Sequence, residues 1–125
     1  MLTVRQTAVL VHDYDDAIAF YVGVLGFELA EDRDLGAGKR WVRVRGPGGG
    51  ELLLARAVTD DQRSRVGDQT GGRVFLFFET DDFASDHARL VGAGVQFLEA
   101  PRRESYGMVA VFVDPYGNKI DLISR

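Results

Sequence analysis

Two carboxylates stand where the sequence is otherwise apolar. Asp121 interrupts the run Lys119-Ile120-Asp121-Leu122-Ile123, and Glu51 opens the run Glu51-Leu52-Leu53-Leu54. Side chains alternate between the faces of a strand, so Ile120 and Leu122 define one face and Asp121 looks the other way. A carboxylate there is either at a solvated edge or in a cleft with a partner, because burying it alone is costly. Glu51 carries two readings as well: a polar residue just past a glycine turn, or a cleft position. Such groups accept charge-assisted hydrogen bonds, neutralise a cation, or offer oxygen ligands to a hard metal ion. The segment Arg40-Trp41-Val42-Arg43-Val44-Arg45 also alternates. Val42 and Val44 suit a helix layer, which leaves Trp41, Arg43 and Arg45 on the opposite face.

Composition narrows the chemistry. The 125 residues are 46% hydrophobic, enough for one compact domain or two small halves sharing a core. There is no cysteine, so disulfides, thiolate nucleophiles and cysteine-bound metals are excluded, and the chain suits a reducing cytoplasm. No apolar run approaches membrane-spanning length, and the N-terminus lacks the layout of a secretion signal. A net charge of −4 disfavours nucleic acid as a partner. The two histidines, His12 at a strand–helix junction and His87 on a helix, are both expected to be exposed rather than to act as bases.

These residues need strands and helices to hold them. Residues 3–11 read as a strand, Asp13 as an N-cap, and Ala17, Phe20, Tyr21 and Val24 as the apolar stripe of a helix closed by Gly26. Residues 27–31 and 40–44 form a strand pair around the turn 36–38, and 51–55 add a fourth strand. Residues 57–72 are a polar, glycine-rich connector with room for at most one short helix. The pattern then restarts: a strand at 74–78, a helix from the cap Asp81-Asp82 to Leu90, a strand at 95–98, and a closing hairpin. In that hairpin, 108–113 and 119–123 flank the breaker Asp114-Pro115-Tyr116-Gly117-Asn118. Gln6 and Phe75 take the same place in the two first strands, 69 residues apart, and Glu51 and Asp121 in the two last strands, 70 apart. The result is a repeat of β-α-β-β-β modules at 3–56 and 73–125.

The stretches VLVHDYDDAIAFYVGVLGFEL and VFVDPYGNKIDLI, set in two such modules, resemble the vicinal oxygen chelate superfamily of glyoxalases, bleomycin-resistance proteins and dioxygenases. The resemblance covers nearly the whole chain as a single domain. It implies an α+β fold in which the modules form a curved mixed sheet around a cleft, in a homodimer. In metal-dependent members the ligands come from the first and last strands of each module; carried over, these positions are Gln6, Glu51, Phe75 and Asp121. Phe75 departs from the pattern, since it can donate nothing to a metal. Gln6, Glu51 and Asp121 are the set left for a divalent ion.

The resemblance also gives the open faces a use. Trp41, Phe75, Phe77, Tyr106 and Met108 become candidates for an aromatic-lined cleft, with Gln6, Arg43, Glu51 and Asp121 as its polar points. The alternative for Trp41 is the core of a dimer. Two functions are expected from this. One is a metal-free protein that binds a small aromatic or cationic organic molecule, with neither nucleic acid nor membrane as partner. The other is a divalent-metal-dependent glyoxalase-like lyase or isomerase, or a dioxygenase.

Overall fold

Alternation of apolar residues builds two sheets, each covered on one face by a helix. In the computed structural model, which describes residues 1–125, the chain divides into units Met1–Val66 and Gly67–Arg125. The first contains β1 (Gln6–Val11), α1 (Tyr14–Ile18) running on into a π-helical segment (Ala19–Val24), β2 (Glu28–Gly36), β3 (Lys39–Arg45), β4 (Glu51–Arg56) and α2 (Asp60–Arg65). Its sheet has the order β1-β4-β3-β2, with β1 and β4 parallel and the other pairs antiparallel. Val9, Val11, Val42, Val44, Leu52 and Leu54 are buried on the face that receives α1, together with Tyr14, Ala17, Phe20 and Tyr21. Each fully buried side chain of this kind stabilises the fold by about 1.5–3 kcal/mol relative to an exposed one. Asp13 caps α1 by accepting from the Asp16 backbone N–H at 2.9 Å, and Gly26 ends the helical run with φ at +85°.

The second unit repeats the order with β5 (Leu76–Glu79), α3 (Phe83–Gly92), β6 (Arg102–Glu104), β7 (Gly107–Val113) and β8 (Lys119–Ile123), arranged β5-β8-β7-β6. Ala110, Phe112, Ile120 and Leu122 are buried on the helix side. A chain of rings, Phe78, Phe112, Phe97, His87 and Phe83, runs across that side with neighbouring centroids 4.5–6.1 Å apart. His87 is therefore not on an exposed face as expected: it is half-buried, stacked on Phe83 and tilted against Phe97.

The strand expected at 95–98 makes only a single bridge, Phe97 to Phe112, with hydrogen bonds from Leu98 N–H to Val111 and from Val113 N–H to Gln96. The regular second strand of this unit is β6, beyond Pro101, where a charged Arg102-Arg103-Glu104 sequence gives no apolar alternation to read. Between β7 and β8 the turn is built on Asp114. Its buried carboxylate accepts from the backbone N–H groups of Tyr116 and Asn118, both at 2.9 Å, and from the Asn118 side-chain amide at 2.7 Å.

Strand register corrects the equivalence drawn between the halves. Gln6 faces Glu51 and Leu10 faces Ala55, whereas Phe77 faces Asp121 and Glu79 faces Ile123. The connections agree: Arg45 pairs with Glu51 across one hairpin and Val113 with Lys119 across the other, each spanning a five-residue link. With Gln6 matched to Phe75, the residue equivalent to Glu51 is Lys119, and the residue equivalent to Asp121 is Leu53. The two carboxylates thus occupy different places in their sheets. Shared residue type had suggested a match that the backbone pairing does not make.

Candidate functional site

In the first unit, the face away from α1 is set by the pairs Gln6–Glu51–Arg45 and Ala8–Leu53–Arg43, with Trp41 on the same alternation as Arg43. Glu51 is the hub of its charges. One carboxylate oxygen accepts from Arg43 Nη1 at 2.7 Å, and the other from Arg45 Nε and Nη2 at 3.0 and 2.9 Å. Arg43 also donates through Nε to Glu31 at 3.0 Å. The Glu51 side chain is only 8% exposed, and the two guanidiniums hold its carboxyl below the usual range. Both of its oxygens are thus occupied, and Arg43 is bound in turn. Arg45 and Glu31 were not among the expected site residues. The spacing 43, 45 on one strand face, opposite Glu51, was the available signal for Arg45; Glu31 had none.

Trp41 stands between two depressions. One, of about 550 Å³, is lined by Thr3, Val4, Arg5, Gln6, Glu31, Trp41 and Arg43. The other, of about 680 Å³, lies where β4 leads into α2, beside the β2–β3 turn. Leu10, Trp41, Leu53, Ala55 and Val58 supply its apolar walls, with Lys39, Arg40, Arg56 and Gln62 among the polar residues. That turn is tight: Gly36, Ala37 and Gly38 all have positive φ, +87°, +55° and +79°. Sequence reasoning placed Trp41 on this face but did not find Leu10, Leu53, Lys39 or Arg56 around it.

In the second unit, Asp121 lies on the face away from Ile120 and Leu122, between Phe77 on β5 and Val111 on β7. Its Oδ1 is buried and has no hydrogen-bond partner. Desolvation pushes its carboxyl up, opposed by the nearby Arg102 cation. Arg102 itself is bound to Glu99 and Glu104. Phe77 is 64% exposed, whereas Phe75, just before β5, is half-buried and donates its N–H to the Lys119 carbonyl. Tyr106 is exposed in the β6–β7 turn. Met108 shares the alternation of Ala110 and Phe112, the helix-side residues, so it faces away from Asp121.

The donor set does not suit a divalent ion. Nowhere do three His, Asp or Glu side chains converge as a metal would require. Glu51 is held by two arginines, and register puts Leu53, not Glu51, in the place that matches Asp121. Phe75 donates nothing to a metal, which leaves Gln6 and Asp121 as the other oxygen donors among the expected positions.

With two β-α-β-β-β modules and open sheet faces in place, the chain falls in a known class. The family model of the Glyoxalase/Bleomycin resistance protein/Dioxygenase superfamily matches residues 3–122, and the chain belongs to that family. An uncharacterized protein of Shewanella frigidimarina is 50% identical over 124 residues, covering 97% of this chain and 92% of its own. Among solved structures, UcmS2 is similar with a TM-score of 0.83 at 27% identity, covering 98% of this chain and 97% of that one. TnmS3, described as an antibiotic binding protein from a Streptomyces species, is similar with a TM-score of 0.80 at 32% identity, covering 99% and 96%.

Proposed function

We propose that this protein binds a small, largely apolar organic molecule without a metal ion and releases it unchanged. The observation that carries the reading is the state of Glu51. A carboxylate clamped by Arg43 and Arg45 braces the sheet beside Trp41, and its charge is already met by two guanidiniums. Phe75 at an expected ligand position, and Leu53 in the place that matches Asp121, favour packing against a ligand over metal chemistry. The likeness to TnmS3, an antibiotic binding protein, supports an organic compound of antibiotic size and type.

In this reading Trp41 stacks on an aromatic part of the ligand, a contact worth about 0.5–1.5 kcal/mol beyond area burial. The protein works in the cytoplasm as a homodimer, with neither nucleic acid nor membrane as partner. No helix is long and apolar enough to cross a membrane.

The test uses Trp41, the sole tryptophan. A panel of aromatic antibiotics should include compounds that change its emission saturably, and mass spectrometry should recover them intact after long incubation. Elemental analysis of protein purified without chelator should find no stoichiometric divalent metal. One tightly bound ion per chain would overturn the metal-free reading, steady consumption of a bound compound would make the protein an enzyme, and the two together would point to a metal-dependent lyase, isomerase or dioxygenase.

A further inference from the structure

The 680 Å³ pocket beside Trp41 carries a charge bias of its own. Its lining includes Lys39, Arg40 and Arg56 and not one aspartate or glutamate, although acidic residues outnumber basic ones by 19 to 15 in the chain. Arg40 is already neutralised, donating to both carboxylate oxygens of Asp32 and to Asp15. Arg56 and Lys39 are not: neither meets a carboxylate in an ion pair.

Arg56 is exposed but has packing partners. Its guanidinium lies over the Tyr14 ring, 5.8 Å from the centroid. It also packs against the turn at Gly38, where an added Cβ would come within 3.3 Å of Nη2. Gln62 adds to the bias, because its Oε1 already accepts from the N–H groups of Val58 and Thr59. What that side chain still offers is its amide N–H.

Resting on the binding role proposed above, we infer that this pocket takes a flat apolar molecule bearing a carboxylate or similar monoanion. The apolar body lies against Trp41, Leu10 and Leu53, and the anion meets Arg56 and Lys39. An arginine seated over a ring offers a carboxylate two parallel hydrogen bonds, which a lysine alone would not provide. The volume falls within the range of small-molecule sites. The cation-accepting role foreseen for Glu51 has no place here, since that carboxylate is fully paired.

Three probes of one shape separate the possibilities by calorimetric titration: 2-naphthoate, 2-naphthylmethanol and 2-naphthylmethylammonium. The naphthoate should bind about tenfold or more tighter than the alcohol, the ammonium should bind weakest, and added salt should reduce the naphthoate's advantage. Arg56→Gln should weaken naphthoate about tenfold or more and the alcohol far less, with Lys39→Gln changing the ratio in the same direction; thermal melts check that each variant is folded. Trp41→Ala should weaken both. Equal affinity for anion and alcohol, or preference for the ammonium, overturns the charge assignment while leaving the binding role standing. An Arg56→Gln loss shared equally by both ligands overturns it too. Binding of none of the three overturns the assignment of this pocket, and the antibiotic panel then judges the binding role separately.

Discussion

Glu51 and Asp121 were matched by residue type, yet their surroundings act on them in opposite directions. Glu51 is ionised and held by Arg43 and Arg45, so its folded-state carboxyl lies below the unfolded value. Its contribution to stability is present above the unfolded value and is lost as pH falls through the folded one. Asp121, raised by desolvation, behaves the other way. Its folded state is favoured while the carboxyl is protonated and loses stability as pH rises through the unfolded and then the folded value. Glu51→Gln should therefore lower the melting temperature by several degrees at pH 7, with the deficit shrinking toward pH 3. Asp121→Asn should raise the midpoint at pH 7, since the amide keeps the carboxylate's shape and removes the charge that desolvation penalises, and the gain should fade on acidification. Thermal melts across that range decide it; parallel responses from the two variants would contradict the contrast.

At the scale of elements, much was legible because alternation and capping are local. The valines of β1 and β3, the Asp13 cap and the glycine turn after β2 all stand where the pattern put them. Three features were not. The β6 strand is charged and follows Pro101, so no period marks it. His87 reads as a polar residue on a helix, and only the packing of Phe83 and Phe97 against it reveals a half-buried ring. Register depends on which residues stand opposite across a sheet, and a single strand's pattern fixes the face but not the partner. That is why Glu51 looked like the counterpart of Asp121. The buried carboxylate of Asp114 was also hidden inside a readable turn. It accepts three hydrogen bonds that organise the β7–β8 link, so Asp114→Ala should destabilise the protein by about 3 kcal/mol. A urea titration measures this, and a loss below about 1 kcal/mol would mean the turn holds without it.

At the scale of the molecule, two small sheets leave apolar side chains uncovered. Phe77, Leu98 and Tyr106 in the second unit, and Leu29 and Leu35 in the first, are all more than a third exposed. Small chains bury a lower fraction of their surface than large ones, and pairing with a second copy is the common remedy. Sedimentation equilibrium at micromolar concentration should return a dimer, and Phe77→Asp should shift it toward monomer. A wild-type chain that sediments only as a monomer would remove the dimer from the account.

The short helix α2 borders the pocket beside Trp41. Its capping box is complete, with Thr59 Oγ1 accepting from Gln62 N–H and the Gln62 side chain accepting from Thr59 N–H. Yet none of its six residues is buried. Such a segment opens by local fluctuation at a small fraction of the free energy needed to unfold the domain. Val58, Thr59 and Gln62 line the pocket, so each opening loosens part of its wall while the sheet beneath stays intact. For the ligand proposed for this pocket, entry and escape would be governed by the breathing of one exposed turn, and residence time could be altered at Thr59 or Gln62 without touching the groups that recognise the ligand's apolar body.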